Sequence, residues 1–229
     1  MAGKGGLGSM KETYSRSRID VVGWPDDLRA RATLEQYLDK LSAHMSPSLS
    51  VDLLLSADNM NFSGADLSGL QLQAAALNES DLRDVRARDS DLYQAWLSSA
   101  NISRADFSRS DLRKVQASGC IAEGAVFSEA QLQGAVFEDA NLRAAVFYGA
   151  NLHSADFNGA DLSRSDLRNC NLGAADFGNS RLVDSMVDGA YGKIFGPIDV
   201  GDASGLVSGE ELQAWFTARG AGAVEIRNL

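Results

Sequence analysis

Two cysteines, two histidines and three prolines are all that 229 residues contain, and no apolar run approaches the roughly 18 residues a membrane span needs. Neither His44 nor His153 stands in a spacing that catalytic or metal sites use. Cys120 and Cys170 lack zinc-site spacing. No basic n-region leads into an apolar h-region, so the chain reads as neither secreted nor membrane-bound. The expected compartment is the cytoplasm, where thiols stay reduced. Met1 to Ser9 is Gly-rich and is followed by a second methionine, Met10. Residues 1–19 are therefore set apart as a disordered tail or an expression remnant.

What the chain has is a period. Every fifth residue from Phe62 to Val187 is apolar, without a slip. The residue two before each of these centres is nearly always Ala, Ser or Cys, as in Ala65-Asp66-Leu67-Ser68-Gly69 and Ala160-Asp161-Leu162-Ser163-Arg164. A period of five suits neither a helix nor a continuous strand, so the chain must turn a corner every five residues. The small and large residues, two apart, share one side of an extended backbone and point inward. Four such units close a coil of 20 residues, and stacked coils pair their backbones as a solenoid. Leucine-rich repeats, at roughly 20–29 residues with another internal pattern, are excluded.

In this register Phe107, Phe127 and Phe147 stack on one face and Phe137, Phe157 and Phe177 on the opposite one. The other two faces carry Leu or Ile almost throughout, an arrangement that fills a narrow core. Ala87, Ala117 and Ala122 are the weak centres. A thin core is expected near Ala117 to Ala122, with Val115 and Ile121 compensating. Cys120 and Cys170 fall at inward positions about 12 Å apart along the axis, taking about 4.8 Å per coil. That is too far for a disulfide, so both are expected to be packing residues.

This pattern resembles the pentapeptide-repeat family, Ala-Asp/Asn-Leu-x-x, over about residues 60–190. The resemblance implies an all-β solenoid, a right-handed quadrilateral β-helix, here of about 6.5 coils. One branch of that family, including mycobacterial and plasmid quinolone-resistance types and self-protection proteins, looks like DNA and engages DNA gyrase, with dimers joined through C-terminal elements. Other members act as immunity proteins or scaffolds.

The flanks differ in kind. Residues 26–43 read as a helix, with Asp26 and Asp27 at its start, Leu34, Leu38, Leu41 and Met45 on one side, and Pro47 as its stop. Within residues 20–59 it is expected to cover the open first coil, with Val51, Leu53 and Leu55 leading in. In residues 191–229, Ser208 and Glu211 form a capping box opening a short helix that Gly220 ends. Its Leu212, Trp215 and Phe216 share a face, either folded onto the last coil or joining two chains as a homodimer.

Catalysis is not expected, and no cofactor or metal is implied. Carboxylates that stack, such as Asp91 on Asp111 or Asp156 on Asp176, are expected to be solvated with ordinary pKa values. Function then lies on the outer surface. Residues 60–115 carry 8 acidic and 7 basic side chains, whereas residues 116–190 carry 10 and 4. The first half interleaves Arg83, Arg86, Arg88, Arg104, Arg109, Arg113 and Lys114 with aspartates, a salt-bridged face rather than the basic stripe that direct DNA binding needs. In the second half Glu123, Glu129, Glu138, Asp139, Asp156 and Asp176 form a candidate DNA-mimicking surface, with DNA gyrase as first candidate partner. A competing feature is apolar. Trp96, Ile121, Val126, Val136 and Val146 stand where a polar residue is normal. Val126 and Val146, with Tyr148, make a candidate strip for a protein partner; β-branched residues also simply favour strands.

Overall fold

The computed structural model describes residues 18–43, 53–201 and 205–227. The expectations placed on residues 1–17, His44, Met45, Pro47 and Val51 lie outside these. From Ser56 onward the backbone makes a parallel bridge every five residues to the position 20 further on, as in Ser56 to Ala76, Asn61 to Asp81, Asp66 to Arg86 and Gln71 to Asp91. Four bridges per 20 residues make a four-sided coil. The first face carries Trp96, Gln116, Val136, Asp156 and Asp176 in stacked order. The second carries Asn101, Ile121, Asn141 and Asp161, the third Asp106, Val126, Val146 and Asp166, and the fourth Asp91, Asp111, Gln131 and Asn151.

Each corner is built from the sequence of one unit. Ala65 N donates to Phe62 O at 3.0 Å, closing a turn whose third residue, Gly64, has φ 72°, the left-handed region that glycine enters without strain. The Asp or Asn before each centre then locks the turn. Asp66 Oδ1 accepts from Ser68 N at 3.0 Å, and Asn101, Asp106, Asp156, Asp161 and Asp176 do the same two residues ahead. A short acceptor side chain mimics a backbone turn in this way. The aspartates of the repeat are thus first of all corner braces.

The core is the column of centres. Phe127 stacks on Phe107 at 5.5 Å and on Phe147 at 5.0 Å, and meets Phe137 of the opposite face edge-on at 5.8 Å. Phe157 stacks on Phe137 and Phe177 at 5.7 and 5.1 Å. Val115, Ala117 and Ala122 are fully buried, but Ile121 is 43% exposed. Only Val115 therefore fills the thin stretch, because Ile121 occupies the outward bridge position. Inward serines donate to the carbonyl beneath, as Ser90 Oγ to Leu67 O at 2.8 Å, and Cys170 Sγ does likewise to Phe147 O at 2.9 Å. Both cysteines are free and buried, and burial pushes both thiols up to about 12.

Helix α1 spans Leu28–Ala43, with Asp27 Oδ1 accepting from Ala30 N at 2.8 Å at its start. Its Leu34, Tyr37 and Leu38 are buried in one cluster with Leu55, Leu67 and Leu72. Backbone groups on the first coil that have no coil beneath them find partners here. Asp66 N donates to Gly23 O at 2.6 Å, and Gln71 O accepts from Tyr37 Oη. Arg18, which the sequence places in the tail, pairs with Glu35 and Asp39 of α1 at 3.1 Å each.

At the other end the register shortens. Asn171 bridges Tyr191, but Asp176 bridges Phe195, because strand β2 (Tyr191–Phe195) crosses its side extended and without a turn. Strand β1 (Ser180–Arg181) pairs in parallel with β3 (Ile198–Asp199), and β3 pairs antiparallel with β4 (Leu206–Val207). That reversal stops the coil. Helix α2 (Gly209–Ala218) follows, and β5 (Ala223–Arg227) adds a parallel rung on β2. Ser208 stands at the N-cap of α2, but its side chain makes no capping hydrogen bond, so that half of the expected box is absent. The C-terminus is as the sequence suggests. Gly220, at φ 79°, donates to Thr217 O, and Ala221 N reaches back to Phe216 O at 3.0 Å.

Candidate functional site

Most aspartates of the first half sit in ion pairs. Asp81 pairs with Arg83 at 2.6 Å, Asp84 with Arg104 at 2.7 Å, Asp89 with Arg109 at 2.6 Å, Asp106 with Arg88 and Asp111 with Arg113 at 2.5 Å. Two of these pairs climb a corner column by one coil, since residues 20 apart stack. The Arg83 and Arg104 guanidiniums, donating to Asp81 and Asp84, hold those carboxyls below the usual carboxylate range.

The second half differs. Asp161 pairs with Arg143 at 3.0 Å and Asp166 with Arg168 at 2.7 Å. Among the described residues none of Glu123, Glu129, Glu138, Asp139, Asp156 and Asp176 is in an ion pair. The fold brings four of them together: Asp156 and Asp176 bridge on the first face, and Glu138 and Asp139 form the corner that follows Val136 on the same face. Gly159, lacking a Cβ, leaves room for the Asp139 carboxylate against its backbone. Glu123 and Glu129 lie apart, on the corners that follow the second and third faces. Glu123, Glu129, Glu138 and Asp139 are exposed, and Asp156 and Asp176 are half-buried by their turn bonds.

The outward apolar residues do not make one strip. Trp96 and Val136 lie on the first face and Ile121 on the second, leaving Val126 and Val146 bridged on the third. Both valines are half-buried; Tyr148 is 42% exposed and lies under Arg168, whose guanidinium sits 5.7 Å from the ring centre. Met186, on the same face, is exposed. In α2, Leu212 and Phe216 are fully buried within the chain, against the last coil, while Trp215 is half-buried and stacked under Arg219 at 4.2 Å. Of the three residues named as a dimer contact, only Trp215 reaches the surface.

One pair of carboxylates departs from expectation. Asp91 and Asp111, bridged on the fourth face, are 6% and 5% exposed. Burial pushes Asp91 above the usual carboxylate range, against hydrogen bonds from Gln73 Nε2 and Tyr93 N. The expectation of solvated carboxylates fails here because α1 and the Tyr93–Arg113 stack, 5.4 Å apart, cover this face. Tyr37 of α1, itself buried, has its hydroxyl pushed up by burial and by Asp91. The signal for this was in no local pattern, since it needs α1 folded back onto the coils.

An open groove of about 390 Å³ lies beside the second face near the C-terminal end. Its charged lining is paired, Asp161 with Arg143 and Arg181 with Asp199 at 3.3 Å. Among the described residues no group of three or more His, Cys, Asp or Glu side chains is placed to hold a metal, and no helix is long and apolar enough to cross a membrane.

The model of pentapeptide repeats matches in eight copies, over residues 56–84, 90–128, 110–148, 125–164 and 145–184, more than half of the chain. Among solved structures, HetL, a pentapeptide repeat protein involved in heterocyst differentiation regulation in the cyanobacterium Nostoc sp. strain PCC 7120, is 26% identical over 62% of this chain and 76% of its own, with a TM-score of 0.44. A pentapeptide repeat protein of the Arabidopsis thaliana thylakoid lumen is 30% identical over 51% of this chain and 74% of its own, with a TM-score of 0.42. QnrB1, a plasmid-mediated fluoroquinolone resistance protein, is 20% identical over 76% and 82%, with a TM-score of 0.46. No curated protein matches the sequence. The chain belongs to the pentapeptide repeat family.

Proposed function

We propose that this chain is a non-enzymatic binding rod whose acidic second half stands in for the phosphates of DNA and so modulates a type II topoisomerase, DNA gyrase first, in resistance to or protection from an antibiotic. The observation that carries the reading is the division of ion pairs. Arginines pair with Asp81, Asp84, Asp89, Asp106 and Asp111 of the first half, while among the described residues Asp156 and Asp176 on the first face and Glu138 and Asp139 on its corner are in no ion pair. A groove built to hold DNA is basic, and an array of unpaired carboxylates on a rigid rod complements it. On this reading the rod is a right-handed quadrilateral β-helix over residues 60–190, of about 6.5 coils. Residues 20–59 cap one end, residues 191–229 close the other, and the protein works in the cytoplasm. The test is gyrase supercoiling with increasing amounts of the chain, with and without a fluoroquinolone, over a series of salt concentrations. An effect on supercoiling that fades as salt rises is expected, since exposed charges are screened beyond about 8 Å at physiological ionic strength. No effect at any salt contradicts the reading.

A second reading, an interaction module such as an immunity protein or scaffold, is favoured by the third face. There Val126 and Val146 bridge in adjacent coils, and Tyr148 and Met186 are exposed. It predicts partner binding that survives salt and is lost on Val126→Ser with Val146→Ser.

A further inference from the structure

The corner between the first and second faces inverts the repeat. Here the centres shrink to Ala117 and Ala122 while Ile121, beside Ala122, and Trp96, one coil below Gln116, point outward, 43% and 50% exposed. Strand preference favours both residue types at a bridge position, but a tryptophan left half-exposed keeps a large apolar area in water. The surroundings are also distinct. Residues 94–103 and 115–122 contain no charged side chain, and bridges stack Trp96 beneath Gln116 and Asn101 beneath Ile121. The corner between them carries only Ser98, Ser99, Ser118 and Gly119. Below this band Asp81 pairs with Arg83 and Asp84 with Arg104, but Glu79, which lies under Ser98 on the same corner, is exposed and in no ion pair among the described residues. Above it, Gly119 N donates to Glu138 O at 2.8 Å, so Glu138 and Asp139 continue the same corner one coil up, and among the described residues neither is in an ion pair.

We propose that this corner is a docking surface for a protein segment whose apolar face is bordered by lysine or arginine. An aromatic anchor amid small neutral residues, with charge only at the rim, is the anatomy of an interface centre. The rim along this corner is acidic both below, at Glu79, and above, at Glu138 and Asp139, and that complementarity selects a basic partner. The surface differs from the valine strip of the third face, and it stands whether or not the partner is a topoisomerase.

The test uses the full chain and a labelled, helical Leu/Lys amphipathic peptide followed by fluorescence anisotropy, with oligolysine and a Leu/Glu peptide as comparisons. Leu/Lys binding about tenfold tighter than oligolysine is expected, with no binding of Leu/Glu. Trp96→Ser combined with Ile121→Ser should weaken Leu/Lys binding about tenfold and leave the thermal transition unchanged, both side chains being outward. Glu138→Gln with Asp139→Asn should weaken it less and flatten its salt dependence. Equal affinity for oligolysine, or binding kept by the Trp96/Ile121 variant and lost by the Val126/Val146 variant, overturns the proposal. Because no gyrase is present, a failure here is separate from a failure of the topoisomerase reading.

Discussion

Phe127 touches three rings, at 5.5, 5.0 and 5.8 Å, in a column where neighbouring coils cannot collapse into a gap. Phe127→Ala is expected to cost about 3–5 kcal/mol in denaturant unfolding; a loss below about 1 kcal/mol would mean the register is wrong. The buried thiols make a second expectation. Cys120 and Cys170 should resist a thiol reagent in the native protein at about pH 8 and react once it is unfolded, since only the thiolate attacks. Titration gives a third. The Arg168 hydrogen bond holds Asp166 below the ordinary range, so its stabilisation is present above the unfolded carboxyl pKa and is lost as pH falls through the folded value. Asp91, raised by burial, has the opposite sign: its contribution is full below the unfolded pKa and is lost as pH rises through the folded one. Acidification therefore costs the fold at Asp166 and its kind and returns something at Asp91. The thermal midpoint should drop between pH 7 and pH 3, and more steeply in Asp91→Asn, where the opposing gain is gone. Parallel slopes for the two proteins would place Asp91 in water.

The elements at the two ends were legible in unequal measure. The coils could be read because Leu, Phe and a small residue recur at fixed positions, and each corner is a local event of five residues. Helix α1 could be read from Leu34 and Leu38, but its closure of the first coil through Tyr37 could not, because Gln71 is distant in sequence and nothing near Tyr37 announces it. Tyr37→Phe leaves the Gln71 carbonyl on an open edge and is expected to cost about 1–2 kcal/mol, measured by thermal or denaturant unfolding. At the other end the pattern Leu212, Trp215, Phe216 was legible as a face, yet two partners could have used it. The chain itself buries Leu212 and Phe216, and β5 covers β2. If the helix still joins two chains, Trp215 is the side chain that does so. Trp215→Ser should then turn a dimer into a monomer in light scattering; a full-length protein monomeric at high concentration leaves α2 as a cap alone.

At the scale of the whole molecule, the charge asymmetry was readable as composition, whereas the gathering of Glu138, Asp139, Asp156 and Asp176 on one face needed the 20-residue register. Of the apolar outward residues, Val126 and Val146 bridge on the third face as the register places them, while Trp96, Val136 and Ile121 lie on the first and second. On the proposed reading, coils spaced about 4.8 Å apart would make a rod of roughly 31 Å over residues 60–190, close to nine base pairs of DNA at about 3.4 Å per step. The four carboxylates occupy only the two coils from Val136 to Asp176 of that length, roughly 10 Å or three base pairs. The direct test is gyrase supercoiling with Glu138→Lys and Asp139→Lys combined, set against Val126→Ser and Val146→Ser combined. The account expects the lysine variant to lose its effect on supercoiling with its thermal transition nearly unchanged, and the serine variant to act as wild type. An unimpaired lysine variant beside an inactive serine variant would contradict it.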